Sequence, residues 1–400
     1  MKLVVSVALA AVLIPAPAAE VRAAGSVEKA AACIPAWTGN RTIRVRGQVG
    51  TRDSVWITVD TGASSSVLDH GQAKKLGLKV EGTQQSRGAG GYQTGSEAHD
   101  VELRLLGFEL RGRRIDTLPL ENLATRSGVP VHAILGYELF SRRVVELDYA
   151  GGCMRLYDPR RYDYRGDGAV LPLEFHENHP YVAARVVLPG GRTFDGKFEL
   201  DTGSSAALLL GPETAERERV LDSMARTRSA SGMGVGGAIE SRIGRADRLE
   251  LGPFRLEAPL TALHPPGPGR ISAPGTDGNI GGTILARFKV IFDYSRKRVI
   301  LEPNASLDDP FESDMSGLGL VAELPDLRTV RVARVQEESP ASEAGVRAGD
   351  ELARVDGRPA AEIGLPALRE MLRREGREVR LELLRGTERI EVTIRTRRLI

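Results

Sequence analysis

The sequence predicts a mainly β protein, built as two similar lobes followed by a small α+β domain. Three observations carry this. First, the chain repeats itself: residues 134–149, ILGYELFSRRVVELDY, align without gaps on residues 279–294, NIGGTILARFKVIFDY, and residues 56–68, WITVDTGASSSVL, resemble residues 197–209, KFELDTGSSAALL. Two landmarks that recur in the same order at nearly the same spacing mark a duplication. Second, segments such as RTIRVRGQV, SVWITVD, VELRLLGFEL and VVELDY place β-branched or alternating apolar residues between Gly and Asp/Asn turns. That is the pattern of short strands. Third, the pattern changes at residue 317, where strands surround a helical segment, LPALREMLRREG.

The boundaries follow from these patterns: lobes over residues 37–157 and 165–302, a linker over 303–316, and a terminal domain over 317–400. The linker reading rests on the acidic, polar, Pro-containing run PNASLDDPFESDMS. Each lobe also carries a helical candidate soon after its Asp-Thr-Gly, at residues 69–78 and 211–223.

At 400 residues the chain is long enough for more than one domain, and 41% hydrophobic with 27% charged residues is an ordinary globular balance. A formal charge of +2 gives no reason to expect nucleic acid as a partner. Two cysteines exclude a disulfide-dense scaffold and a four-Cys zinc site.

Residues 1–24 read as a signal peptide. Met1 and Lys2 make a basic start, residues 3–14 are apolar, and small residues follow through Pro15 and Ala19. The apolar run is too short for a membrane span, which needs about 20 residues. No other long apolar stretch occurs, so no membrane span is expected after signal removal. The expectation is an exported protein, periplasmic or extracellular. In an oxidising compartment Cys33 and Cys153 could pair, and the sequence leaves pairing and free thiols equally open.

The chemistry lies in two triplets, Asp60-Thr61-Gly62 and Asp201-Thr202-Gly203, each at the end of an apolar strand. One such triplet would be unremarkable, since Asp-X-Gly also favours turns. Two at matching places in a duplicated unit are a specific signal. On these residues the chain resembles the aspartic proteases, closer to retropepsins and their bacterial relatives than to pepsin. The matching elements also include Ile134-Leu135-Gly136 and its partner Asn279-Ile280-Gly281.

The resemblance implies a bilobal acid-protease β-barrel fold with one active site from one chain. Asp60 and Asp201 are then the catalytic pair, with Thr61, Gly62, Thr202, Gly203 and Ser204 supporting the loops. Two carboxylates about 3 Å apart cannot both ionise, so they would share a proton and activate a water without metal or cofactor. Ser204 stands where Ala63 stands in the first lobe, and a hydroxyl there can bond the carboxylate. That leads to an expectation of activity nearer neutral pH than pepsin's. Asn279 departs from the family, where an apolar residue packs behind the loop, and raises a question of packing more than of chemistry. Gly88-Ala89-Gly90-Gly91-Tyr92 and the run Gly232 to Gly237 read as hairpin tips, the resemblance making them flaps, with Gly91, Tyr92 and Gly234 as candidates. The second run also fits G-x-G-x-x-G, but no βαβ unit surrounds it.

Other constellations are weak. His176 and His179 stand in the loop HENHP without a set of acidic partners, so no metal site is expected. The repeated Asp148-Tyr149 and Asp293-Tyr294 sit at strand ends and read as structural.

Residues 339–357, SPASEAGVRAGDELARVDG, make the terminal domain resemble a PDZ domain. The resemblance implies that Gly317, Leu318, Gly319 and Leu320 offer backbone N–H groups to a peptide C-terminus, with Leu368 and Leu372 lining the groove. The expected partner is a polypeptide substrate, with a peptide C-terminus possible at the PDZ domain. Two functions stay in view: an exported aspartic endopeptidase whose PDZ domain binds polypeptide termini or regulates access, and an inactive protease-fold scaffold with the PDZ domain as the binding module.

Overall fold

Each Asp-Thr-Gly terminates a strand that is buried on both faces. The computed structural model describes residues 31–50, 52–269 and 274–400, and the expected signal peptide lies outside the described residues. In the first lobe the strand Arg52–Val59 lies antiparallel to Ile43–Val49 and parallel to Ala133–Leu135, with Val59 opposite Leu135. The strand Val67–Asp69 then returns antiparallel to Ala133–Leu135. The second lobe repeats this. Thr193–Asp201 runs parallel to Gly278–Gly281, with Asp201 opposite Gly281, and Leu208–Leu210 returns antiparallel to it. Val55, Ile57, Val59, Phe198 and Leu200 are all buried, which is why these strands sit in the sheet interior.

A long hairpin rises from each lobe. One is formed by Val80–Gly88 and Gly91–Leu105, the other by Arg228–Gly234 and Gly237–Arg245. Beneath the cleft the two repeats join edge to edge. Val144–Asp148 pairs antiparallel with Phe288–Asp293, placing Leu147 opposite Val290. The ring of Phe140 sits 5.5 Å from Phe292 and 5.4 Å from Tyr294 across that junction. The equivalent strands of the duplication thus form one sheet and hold the lobes together.

Cys33 and Cys153 form a disulfide, which answers the question left open by the sequence. It anchors the strand Ile34–Trp37 to Cys153–Tyr157, where Pro35 pairs with Cys153.

Residues 303–316, read as a linker, begin at the last residue of the strand Arg298–Pro303 and follow a tied path along the second lobe. The Arg287 guanidinium donates to the carbonyls of Ser306, Leu307 and Asp309 and stacks on Phe311 at 3.6 Å. Phe311 and Met315 are buried. A polar composition therefore conceals a segment whose carbonyls converge on one cation.

The terminal domain is a sheet of Leu318–Ala322, Val330–Val335, Glu351–Val355, Glu378–Arg385 and Glu388–Arg395, with the helix Leu365–Met371 beside it. Ser339 caps the helix Pro340–Glu343 through a capping box with Ser342. This domain shares a core with the first lobe. Leu118, Leu120, Ala124, Val131 and Ile134 pack with Leu318, Leu320, Leu365, Leu368 and Leu372. Each leucine buried there contributes roughly 1.5–3 kcal/mol, so the junction is a built interface.

Candidate active site

The two Asp-Thr-Gly loops meet at a local pseudo-twofold. Thr61 and Thr202 are both fully buried and bond reciprocally: each backbone N–H donates to the other's Oγ1 at 3.0 Å. Each hydroxyl donates in turn across the lobes, Thr61 to the Leu200 carbonyl at 2.6 Å and Thr202 to the Val59 carbonyl at 2.8 Å. Each Thr hydroxyl both donates and accepts, and with the two backbone N–H groups the four bonds close a reciprocal lattice. The lattice fixes the separation of Asp60 and Asp201.

Glycine follows for a steric reason. A Cβ on Gly62 would stand 2.7 Å from the Asp201 carboxyl carbon, and one on Gly203 would collide with the Asp60 carboxyl. Each glycine lets the opposite carboxyl approach. Each also turns its N–H to its own Asp: Gly62 N–H donates to Asp60 Oδ1 and Gly203 N–H to Asp201 Oδ1, both at 2.8 Å.

The carboxyls are not equivalent. Asp201 Oδ1 also accepts the Ser204 N–H at 3.0 Å, and Asp201 Oδ2 accepts the Asn279 side-chain amide at 2.6 Å. Among the described residues Asp60 has a counterpart to neither bond. Its carboxyl is pushed well above the usual range, first by burial and then by the negative charge of Asp201. Hydrogen bonds to an ionised carboxylate favour ionisation, and burial disfavours it. The arrangement therefore favours the proton on Asp60, the carboxyl with fewer donors.

Two expectations about this loop are corrected. Ser204 reaches Asp201 through its backbone N–H, while its hydroxyl accepts from the Ala206 N–H at 3.3 Å. Asn279 touches the dyad directly, which makes its departure from the family pattern a matter of chemistry.

A buried polar layer lies behind the dyad. Glu199, two residues before Asp201 and hence on the same strand face, pairs with His179 Nδ1 at 2.6 Å and accepts from the Tyr181 hydroxyl at 3.4 Å. Its charge adds to the upward push on Asp60. Tyr149 and Tyr294, the repeated tyrosines read as structural, are buried beside the dyad: burial is the main cause that raises both phenols, and the charge of Asp201 adds to it at Tyr149 and that of Glu199 at Tyr294. The duplication itself was the available signal for them, and period-2 spacing the signal for Glu199. His179 is thus hydrogen-bonded to Glu199, while His176 stands against the Tyr181 ring.

The hairpin tips meet above the cleft. Gly90 N–H donates to the Val235 carbonyl and Gly236 N–H to Gln93 Oε1, both at 2.9 Å. Gly91 and Gly236 take φ of 126° and 92°, backbone that a Cβ disfavours. Gly91 and Gly234 lie at the tips, Gly88 pairing with Gly91 and Gly234 with Gly237. Tyr92, the aromatic flap candidate, follows Gly91 at the tip, is 60% exposed and lies beside Arg87. Met233, from the second hairpin, lines the cavity that reaches Asp60.

The expected PDZ groove is also differently used. Leu318, Leu320, Leu368 and Leu372 are buried, and the helix Glu121–Ser127 of the first lobe packs on the strand Leu318–Ala322. The Gly317 N–H donates to Asp314 Oδ2 at 2.6 Å, so the loop's first N–H already holds a carboxylate from this chain. Gly319 lines the wall of the cavity that reaches Asp60.

This fold and this pair of loops define a two-lobed acid protease architecture. Residues 43–139 match the family model for aspartyl protease, and residues 331–385 match that for the PDZ domain. The chain thus joins an aspartyl protease domain to a C-terminal PDZ domain. No curated protein matches it. Among the described residues, no helix is long and apolar enough to cross a membrane, and no group of three His, Cys, Asp or Glu could hold a metal ion.

Proposed function

We propose that the protein is an exported aspartic endopeptidase that hydrolyses peptide bonds with a water activated between Asp60 and Asp201. The observation that carries this is the dyad itself, two carboxyls held face to face by the Thr61–Thr202 lattice and made unequal by Ser204 and Asn279. Ionised Asp201 takes a proton from the water as it attacks the scissile carbonyl. Protonated Asp60 donates to the carbonyl oxygen, and the transfers reverse as the amine departs. The pair titrates as a unit, so a pH–rate profile reports macroscopic values of the dyad.

The touching hairpin tips support a roof that opens to admit an extended polypeptide and excludes water once closed. The PDZ domain acts as a wall of the cleft and regulates access through its contact with the helix Glu121–Ser127. Export is supported by the basic–apolar–small pattern of residues 1–24 and by the Cys33–Cys153 disulfide, a bond suited to an oxidising compartment.

The test is cleavage of an unfolded protein across pH 3 to 8, with wild type beside Asp60→Asn and Asp201→Asn. Cleavage by wild type alone supports the enzyme. An inert wild type under every condition leaves the scaffold reading in possession.

A further inference from the structure

A cavity of about 290 Å³ reaches from Asp60 to the PDZ wall, and its lining is strongly cationic. Arg44, Arg126, Arg369 and Arg373 border it, against the carboxyls of Asp60 and Asp314. Arg44 is 5% exposed. It stands opposite Thr58 in the strand pairing, and therefore on the face that leads, two residues on, to Asp60. Its Nη1 donates to the Val129 carbonyl at 2.9 Å, while its Nε is buried without a hydrogen-bond partner.

Arg126 donates to the Ser231 carbonyl at 2.7 Å, and Arg369 to the Leu320 carbonyl at 2.8 Å. Among the described residues none of these three forms an ion pair with a carboxylate. The anions nearby are engaged elsewhere. Glu240, which Arg126 senses, pairs with Arg334 at 3.7 Å, and Glu370 pairs with Arg373 at 2.5 Å. Asp314 is held by the Ser316 hydroxyl and the Gly317 N–H, both at 2.6 Å. Burial, and then the charges of Arg126 and Arg373, press Arg369 down to about 9. Asp314 is the carboxylate that favours the charged Arg369 and Glu240 the one that favours Arg126, so the cavity holds more desolvated guanidinium groups than its carboxylates offset, and a carboxylate arriving there relieves that cost.

We propose that this cavity is a carboxylate-binding subsite of the substrate cleft, in which Arg44, Arg126 and Arg369 receive a carboxylate of the polypeptide substrate. The inference rests on the endopeptidase reading and deepens it by giving the substrate a charge requirement. It differs from carboxylate capture by the PDZ loop, since the first N–H of that loop already holds Asp314. The carboxylate can come from the chain terminus or from an Asp or Glu side chain, and the arms of the test separate these.

The probes are fluorescent peptides of one sequence in four forms: free-acid or amide C-terminus, each with an internal Glu or Gln. Binding is read by anisotropy on full-length Asp201→Asn, and cleavage on the wild type. One carboxylate should improve binding at least tenfold over its neutral counterpart, and whichever arm shows it identifies the source. Arg126→Gln should bring that ratio toward one. Arg369→Gln should do the same, with Arg369→Lys retaining part of it if loss of the Leu320 bond unfolds the glutamine variant. Equal binding of all four peptides, or no binding of any, overturns the subsite. Cleavage by the wild type without charge preference overturns it while sparing the endopeptidase. A clear preference in binding without any cleavage spares the subsite and removes the endopeptidase.

Discussion

Asn279→Leu isolates the most unusual contact of the dyad. Leucine is close to asparagine in shape, and the site is 5% exposed, so the packing is largely kept. Two things are lost: the 2.6 Å bond from the amide to Asp201 Oδ2, and a buried Oδ1 that has no hydrogen-bond partner. A bond to a charged group is worth about 1.5–3 kcal/mol. At about 1.4 kcal/mol for each tenfold change, its removal makes the dyad harder to ionise by roughly one to two orders of magnitude. The acid limb of kcat/KM against pH should therefore move up by about one to two pH units. Thermal stability should fall at pH 7, where the lost bond to the charged dyad outweighs removal of the orphaned oxygen, and the difference should shrink at pH values below the acid limb. The assay is a pH–rate profile on a peptide substrate, with Tm measured on the same samples. An acid limb unmoved in a folded Asn279→Leu would refute the claim that Asn279 holds the charge on Asp201.

Three further outcomes follow from the same structure. Asp60→Asn should melt higher than wild type at pH 7. In the folded state the carboxyl is raised above its ordinary value of 3.8, so its contribution is full below that value and is lost as pH rises through the folded one. The advantage of the variant should shrink to nothing near pH 3, and equal Tm values at pH 7 would contradict the burial argument. Cys33→Ser should lower stability by about 2–5 kcal/mol in denaturant melts, because the disulfide closes a loop across a sequence separation of 120. The same loss should appear when wild type is reduced. Leu120→Ala, at a fully buried position of the shared core, should cost about 2–5 kcal/mol. Hydrogen exchange should then speed up in the PDZ strand Val330–Val335 as well as in the first lobe. Unchanged exchange in that strand would mean that the two domains are energetically separate.

Local patterns carried much of this molecule. The duplication, the two Asp-Thr-Gly loops and the PDZ-like order of residues 339–357 are all written in contiguous residues, and so was the mainly β class. What was not legible depends on partners distant in the chain. Asn279 meets Asp201 across 78 positions, and nothing near Asn279 in sequence signals a carboxylate. The linker reading of 303–316 followed composition, but Arg287 orders that segment from outside it. Tyr92 was placed by its neighbours at the hairpin tip, whereas its face depends on which side of the hairpin the cleft lies. The leucines of the PDZ loop looked like a groove because the helix Glu121–Ser127 that covers them comes from another domain. The arginine-lined cavity is the clearest case. Arg44, Arg126 and Arg369 are far apart in sequence and come together only where two domains dock.

The central claim is that Asp60 and Asp201 act as one unit in peptide hydrolysis. A double-mutant cycle on kcat/KM tests it most directly, using Asp60→Asn, Asp201→Asn and the double variant on one unfolded substrate. Residues that act as a unit are grossly non-additive. The account predicts that each single variant falls to the same floor as the double. Substantial activity in either single variant, or losses that simply add, would contradict a shared dyad.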